Sequence, residues 1–174
     1  VISTRGRKGT DRNEQIESIK ELRSLAKQHQ LGPALDIKCL FNQLACSLDY
    51  NTRLNRSMKN ESWIECLKLF EEMMEILQRN QEQLEISDDF SDETESLITE
   101  PYRIRGSLLA IFDRLSEEFI KILQQCDAHG TEYVERLKME PKVCILIDRL
   151  IAYFENKSFV DQNEKIQQNI TRHS

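Results

Sequence analysis

Two residues of this chain stand at a spacing that metal chemistry uses: Cys126 and His129 form a C-x2-H step. A structural zinc site needs four donors, commonly two from each of two short motifs. The other histidines are His29 and His173, and neither brings a second pair of ligands. The step is read as a chance spacing at a helix C-terminus, and no metal ligand is assigned. No Glu-x-x-His pair occurs either, which leaves a di-iron helical bundle unsupported. Nucleophilic catalysis would need a thiol or hydroxyl beside a base. Cys39, Cys46, Cys66, Cys126 and Cys144 fall mostly within apolar helical patterns, where free cysteine behaves as a small hydrophobe. The carboxylates alternate with basic residues on solvated faces. Gly6-Arg7-Lys8-Gly9 lacks the strand and spacing of a phosphate loop. No catalytic or cofactor-binding residue is assigned, no cofactor is expected, and the chain is read as non-enzymatic.

What remains is a basic lead-in: Arg5, Arg7, Lys8 and Arg12 against the single acid Asp11. Such a cluster can neutralise phosphates, and any binding it supports would weaken with salt. These four residues are the candidate RNA contacts; the competing reading is a solvated tail. Arg103 and Arg105 form a smaller cluster around Ile104, with pairing to the acidic segment before them as the alternative. Trp63, the sole tryptophan, falls on an apolar stripe and is read as a core anchor.

The elements that would position these groups are helices. Five glycines and three prolines in 174 residues are few, and charged residues reach 31%. Few breakers with many Glu, Gln, Lys and Leu favour long helices over sheet. Asp11 and Glu14 have capping-box spacing, and Ile16, Ile19, Leu22, Leu25 and Ala26 give a first amphipathic helix ending near Gly32-Pro33. Ile37, Leu40, Phe41, Leu44, Ala45 and Leu48 carry a second, and Trp63, Leu67, Phe70, Met74 and Leu77 a third. Residues 81–100 hold eight acids and no Lys or Arg, and are expected to form a mobile, solvated loop. Pro101 is expected to open a fourth helix reaching about Gln125, with Ile104 on its apolar side. A short helix around Tyr133 and Val134 follows, then Pro141 as a break, then a sixth helix through Phe154. The tail 158–174 is expected to be weakly helical.

The fold is therefore all-α, with about six helices. Periodicity alone leaves a closed bundle and an open array of hairpins both open. A net charge of −6 argues against a general nucleic-acid binder but not against a local basic patch. No run approaches the roughly 18 apolar residues of a membrane helix. The odd cysteine count without CxxC points to a reducing, cytoplasmic compartment. The first residue is Val1, so the chain is expected to be a piece of something longer.

Several segments are more than generic helix. RGRKGTDRNEQI (Arg5–Ile16), SLDYN (Ser47–Asn51), the LKLFEEMMEIL run and above all RIRGSLLAIFDRLSEEFIKILQQCDAHGTEYVERLK (Arg103–Lys138) resemble the helical region of the c subunit of eukaryotic translation initiation factor three. VCILIDRLIAYFE (Val143–Glu155) keeps the same register, so the resemblance spans about residues 5–157. It implies antiparallel helical hairpins stacked as a repeat array, solenoid-like, over residues 13–157 and upstream of a PCI module. It implies a non-catalytic scaffold that helps assemble the preinitiation complex, with other subunits of the same factor and the protein and rRNA of the small ribosomal subunit as partners. Contacts to other initiation factors would lie in segments outside this chain. The acidic segment and the tail after Lys157 depart from the family pattern, so no partner contact is carried onto them. A helical-repeat adaptor of another PCI-type complex, such as the proteasome lid or signalosome, is the alternative.

Overall fold

The computed structural model describes the backbone of residues 11–52 and 57–172, and the side chains of residues 11–49 and 57–158. Its elements are α1 (Arg12–Gln28), α2 (Pro33–Thr52), α3 (Asn60–Arg79), β1 (Leu84–Ser87), β2 (Tyr102–Arg105), α4 (Leu108–Gln124), α5 (Thr131–Leu137) and α6 (Glu140–Arg172). Among the described residues helix dominates, joined by a two-stranded parallel ladder between α3 and α4. The chain divides into two compact units, Val1–Arg136 and Leu137–Ser174.

In the first unit, Asp11 caps α1 by accepting the Asn13 N–H at 2.9 Å. The helix ends in a tight turn in which the Leu31 N–H donates to the Ala26 carbonyl at 3.0 Å. Gly32 takes a φ of 96°, and a Cβ there would lie 3.3 Å from the Tyr102 hydroxyl oxygen. Only glycine accepts that backbone freely. Pro33 then begins α2, where a fixed φ and a missing N–H cost nothing.

The centre of this unit is α2, which packs against α1, α3, α4 and β2. Ala34, Ile37, Leu40 and Leu44 are fully buried, and Cys39, Phe41, Cys46 and Leu48 nearly so. Burial that wide marks a helix with neighbours on most sides. The expected stripe of α3 is buried in full, with Cys66 and Met73 beside it. Trp63 stacks on Phe119 of α4 with centroids 4.6 Å apart, and Phe70 meets Phe112 at 5.5 Å. Those pairings, later residues of α3 against earlier residues of α4, make the two helices antiparallel. Trp63 also donates its indole N–H to the Leu115 carbonyl at 2.9 Å, so its polar edge is satisfied in the core.

Two expectations are corrected between α3 and α4. Residues 81–100 are not without structure, for Leu84–Ser87 form β1 with Leu84 and Ile86 buried. The fourth helix begins at Leu108, not Pro101. Tyr102–Arg105 form β2 instead, with Ile104 buried between exposed Arg103 and Arg105. That in-out alternation is strand periodicity, which a helical template misreads when one apolar residue happens to fall in phase. Leu84 pairs with Tyr102 and Ile86 with Ile104 in parallel register. Parallel pairing needs a crossover, and the acidic segment supplies it. Gly106 ends the strand where an added Cβ would meet the Phe41 ring at 3.0 Å. Ser107 then caps α4, accepting the Ala110 N–H at 3.2 Å.

In the second unit Pro141 is the second residue of α6, so it opens that helix rather than breaking one. The backbone stays helical to Arg172, through most of the tail expected to be weakly helical.

Candidate interaction surfaces

Polar groups in the interior serve packing. Glu118, 6% exposed, accepts the Met58 N–H at 3.0 Å and the Lys121 ammonium at 2.7 Å. It thereby fixes the approach to α3 onto α4. Cys126 donates its thiol to the Ile122 carbonyl at 3.2 Å, and the His129 N–H donates to Asp127 Oδ1 at 3.0 Å. The C-x2-H step is thus the end of α4 and the turn after it. Among the described residues, no three His, Cys, Asp or Glu side chains converge where they could hold a metal ion. Burial, followed by the Glu65 carboxylate, pushes the Cys66 thiol up to about 12, and burial also raises Cys39. Such thiols stay protonated at neutral pH and are poor nucleophiles.

Of the candidate RNA contacts, Arg5, Arg7 and Lys8 lie outside the described residues, and Arg12 is the half-buried first residue of α1. Arg103 approaches Glu85 at 3.9 Å and Arg105 binds Asp92 at 3.0 Å, so the acidic segment takes both.

Sequence reading missed the charge network that organises the first unit. Arg23 of α1 donates to Asp36 of α2 and, at 2.5 and 3.1 Å, to Glu72 of α3. Lys27 reaches Glu72 at 3.2 Å, and Lys20 lies 3.9 Å from Glu65. These contacts set α1 and α3 side by side and parallel across α2. Arg23 first, and then Lys27, hold the Glu72 carboxyl below the usual glutamate range. On the acidic side, Lys38 of α2 donates to Glu95 at 2.5 Å and to the Arg105 carbonyl at 3.2 Å.

Apolar residues that the fold leaves exposed fall in stripes. On α1 these are Leu22 and Leu25. On α6 they are Ile147, Ile151 and Phe154, at i, i+4, i+7, beside the buried Leu146, Leu150 and Tyr153. Scattered exposed leucines are ordinary, but a helix apolar on two adjacent stripes offers contact area. None of the described helices is long and apolar enough to cross a membrane.

A family profile described as eukaryotic translation initiation factor 3 subunit 8 N-terminus matches residues 1–172. The chain belongs to this family. It is 41% identical over 155 residues to the Bombyx mori protein named as the C subunit of eukaryotic translation initiation factor 3, covering 89% of the chain. The Anopheles gambiae protein of the same name is 40% identical over 155 residues, again 89% of the chain. The Danio rerio one is 38% identical over 164 residues, 93% of the chain. The matched part is 18%, 16% and 18% of those three proteins respectively. This initiation factor 3 family therefore accounts for nearly the whole chain, while the chain spans under a fifth of each relative. It is a translation initiation factor sequence, and the family match separates it from the proteasome-lid and signalosome adaptors.

Proposed function

We propose that this chain is a non-catalytic scaffold segment of a core subunit of translation initiation factor 3, acting in the cytoplasm to help assemble the preinitiation complex on the small ribosomal subunit. The observation that carries the reading is the family match across residues 1–172. It is supported by an interior whose polar groups are spent on internal contacts and by apolar stripes on α1 and α6 that suit protein partners. In this reading residues 13–157 form part of a helical-repeat array, and other subunits of the factor dock on its exposed faces. Arg5, Arg7, Lys8 and Arg12 contact ribosomal RNA, while other initiation factors bind elsewhere in the longer protein.

The test is co-sedimentation of the full-length protein with small ribosomal subunits under initiation conditions, with and without the other factor subunits. Association is expected, and its absence would remove the reading. Replacing Arg5, Arg7 and Lys8 by Ala is expected to weaken binding and flatten its salt dependence, by a slope of about 0.7–0.9 for each phosphate no longer neutralised. An unchanged slope would show that the lead-in binds no phosphate.

A further inference from the structure

The ion pairs that tie α1 to α3 stop at Lys20, and towards the N-termini of both helices the surface opens into a cleft of about 300 Å³. Asn13, Ile16, Glu17 and Lys20 line it from α1, Gln43 and Ser47 from α2, and Ser62, Glu65 and Cys66 from α3, with Met58 beside them. That volume is at the small end of ligand pockets, enough for a side chain or two.

Two independent features say what would fit. Gln43 is 3% exposed and lines the cleft, yet its side chain makes no hydrogen bond among the described residues. Buried amides are normally paired, and an unpaired one loses its hydration without compensation. A carboxamide presents one acceptor and two donors, the complement of a peptide group. The second feature is charge. Glu17 and Glu65 face a single cation, Lys20, which lies 2.9 Å from the first and 3.9 Å from the second. The rim is therefore one positive charge short of neutrality. The Lys20 ammonium is held above its ordinary pKa, chiefly by its hydrogen bond to Glu17, as a carboxylate-dominated rim requires. Between these polar groups Ile16, Met58 and Cys66 supply apolar contact.

We propose that this cleft binds an extended segment of a protein partner, pairing a backbone amide with Gln43, an apolar side chain with Ile16 and Met58, and an adjacent Arg or Lys with Glu17 and Glu65. Nucleic acid is disfavoured, because its phosphates would meet two carboxylates. The site does not depend on the ribosome-scaffold reading; failure of ribosome binding would leave it standing.

The test is NMR titration of the 174-residue chain with acetyl-Leu-Arg-amide, with acetyl-Leu-Glu-amide as control. The expected result is a saturable shift of the Gln43 side-chain amide at about millimolar peptide. The Arg peptide should bind up to about fivefold more tightly than the Glu peptide, the reach of an exposed ion pair. Glu17 and Glu65 are 66% and 63% exposed, so Glu17→Gln with Glu65→Gln leaves the fold intact and should bring that ratio close to one. Gln43→Leu should abolish the response, with the circular dichroism spectrum confirming that the chain is folded. No saturable shift at Gln43, equal affinity for the two peptides, or a response at the same residues to oligouridine instead would overturn the proposal.

Discussion

The acidic segment is held to the helical unit at one point above all, the Lys38–Glu95 pair, and Lys38→Met tests how much that point carries. Both side chains are 17% exposed, and the ammonium also donates to the Arg105 carbonyl. The substitution keeps the aliphatic stem and removes two charge-assisted or carbonyl hydrogen bonds. Glu95 would retain the Arg105 N–H at 3.0 Å as a donor. A hydrogen bond to a charged group contributes about 1.5–3 kcal/mol, and breaking a fully buried ion pair costs about 3–5 kcal/mol. Here the stranded carboxylate can turn toward water, so the lower range applies and the expected loss is about 2 kcal/mol. That loss should be local. Ser96 and Arg103 exchange reciprocal backbone hydrogen bonds at 2.9 Å, and their amides report whether the segment is closed. Native-state hydrogen exchange of Lys38→Met should show both amides losing protection by about thirtyfold. Amides around Phe70 in α3 should change far less. A cycle with Glu95→Gln should give a coupling of about 1 kcal/mol or more. Unchanged protection at Ser96 and Arg103, with a coupling below about 0.5 kcal/mol, would refute the view that this pair anchors the segment.

Three other outcomes are expected. Glu118→Ala should destabilise the chain by about 2–3 kcal/mol in urea denaturation, because it orphans the buried Met58 N–H, whereas Glu118→Gln keeps an acceptor and should cost about 1 kcal/mol. Glu72 has a folded-state pKa below its unfolded value, so its stabilisation is present above the ordinary glutamate range and fades as pH falls through the folded value. The difference in urea midpoint between the native sequence and Glu72→Gln should therefore be constant near neutral pH and shrink on acidification; a difference that grew would contradict the Arg23–Glu72 assignment. In the folded chain Cys144 should react readily with a thiol reagent at mildly alkaline pH while Cys66, buried and raised to about 12, should stay unmodified until denaturant is added.

The helices were legible because their apolar residues repeat at three and four over several turns. Trp63, Leu67, Phe70, Met74 and Leu77 define a face by themselves, and every one is buried. The Asp11 cap and the Gly32-Pro33 turn were equally local signals. Ile104 was misassigned because one buried residue cannot distinguish a period of two from one of 3.6, and its neighbours in α4 extended the helical phase across Gly106. The cleft beside Gln43 was not legible, since a glutamine in an apolar stripe reads as a solvated position until neighbouring helices bury it.

The acidic segment shows most sharply where sequence reasoning stops. Its composition argues for disorder, since repelling carboxylates with few apolar residues cannot organise themselves. That argument counts only charges adjacent in sequence. The cation that fixes Glu95 is Lys38, 57 residues earlier, and the one that binds Asp92 is Arg105, 13 residues later and across the crossover. Leu84 and Ile86, two buried residues among polar neighbours, are too little to nucleate a strand alone. They suffice once Tyr102–Arg105 lies alongside and α2 packs against β2. A run of like charge is therefore a statement about what a segment lacks within itself. Whether the segment orders is decided by the charge it meets when distant parts of the chain are folded against it.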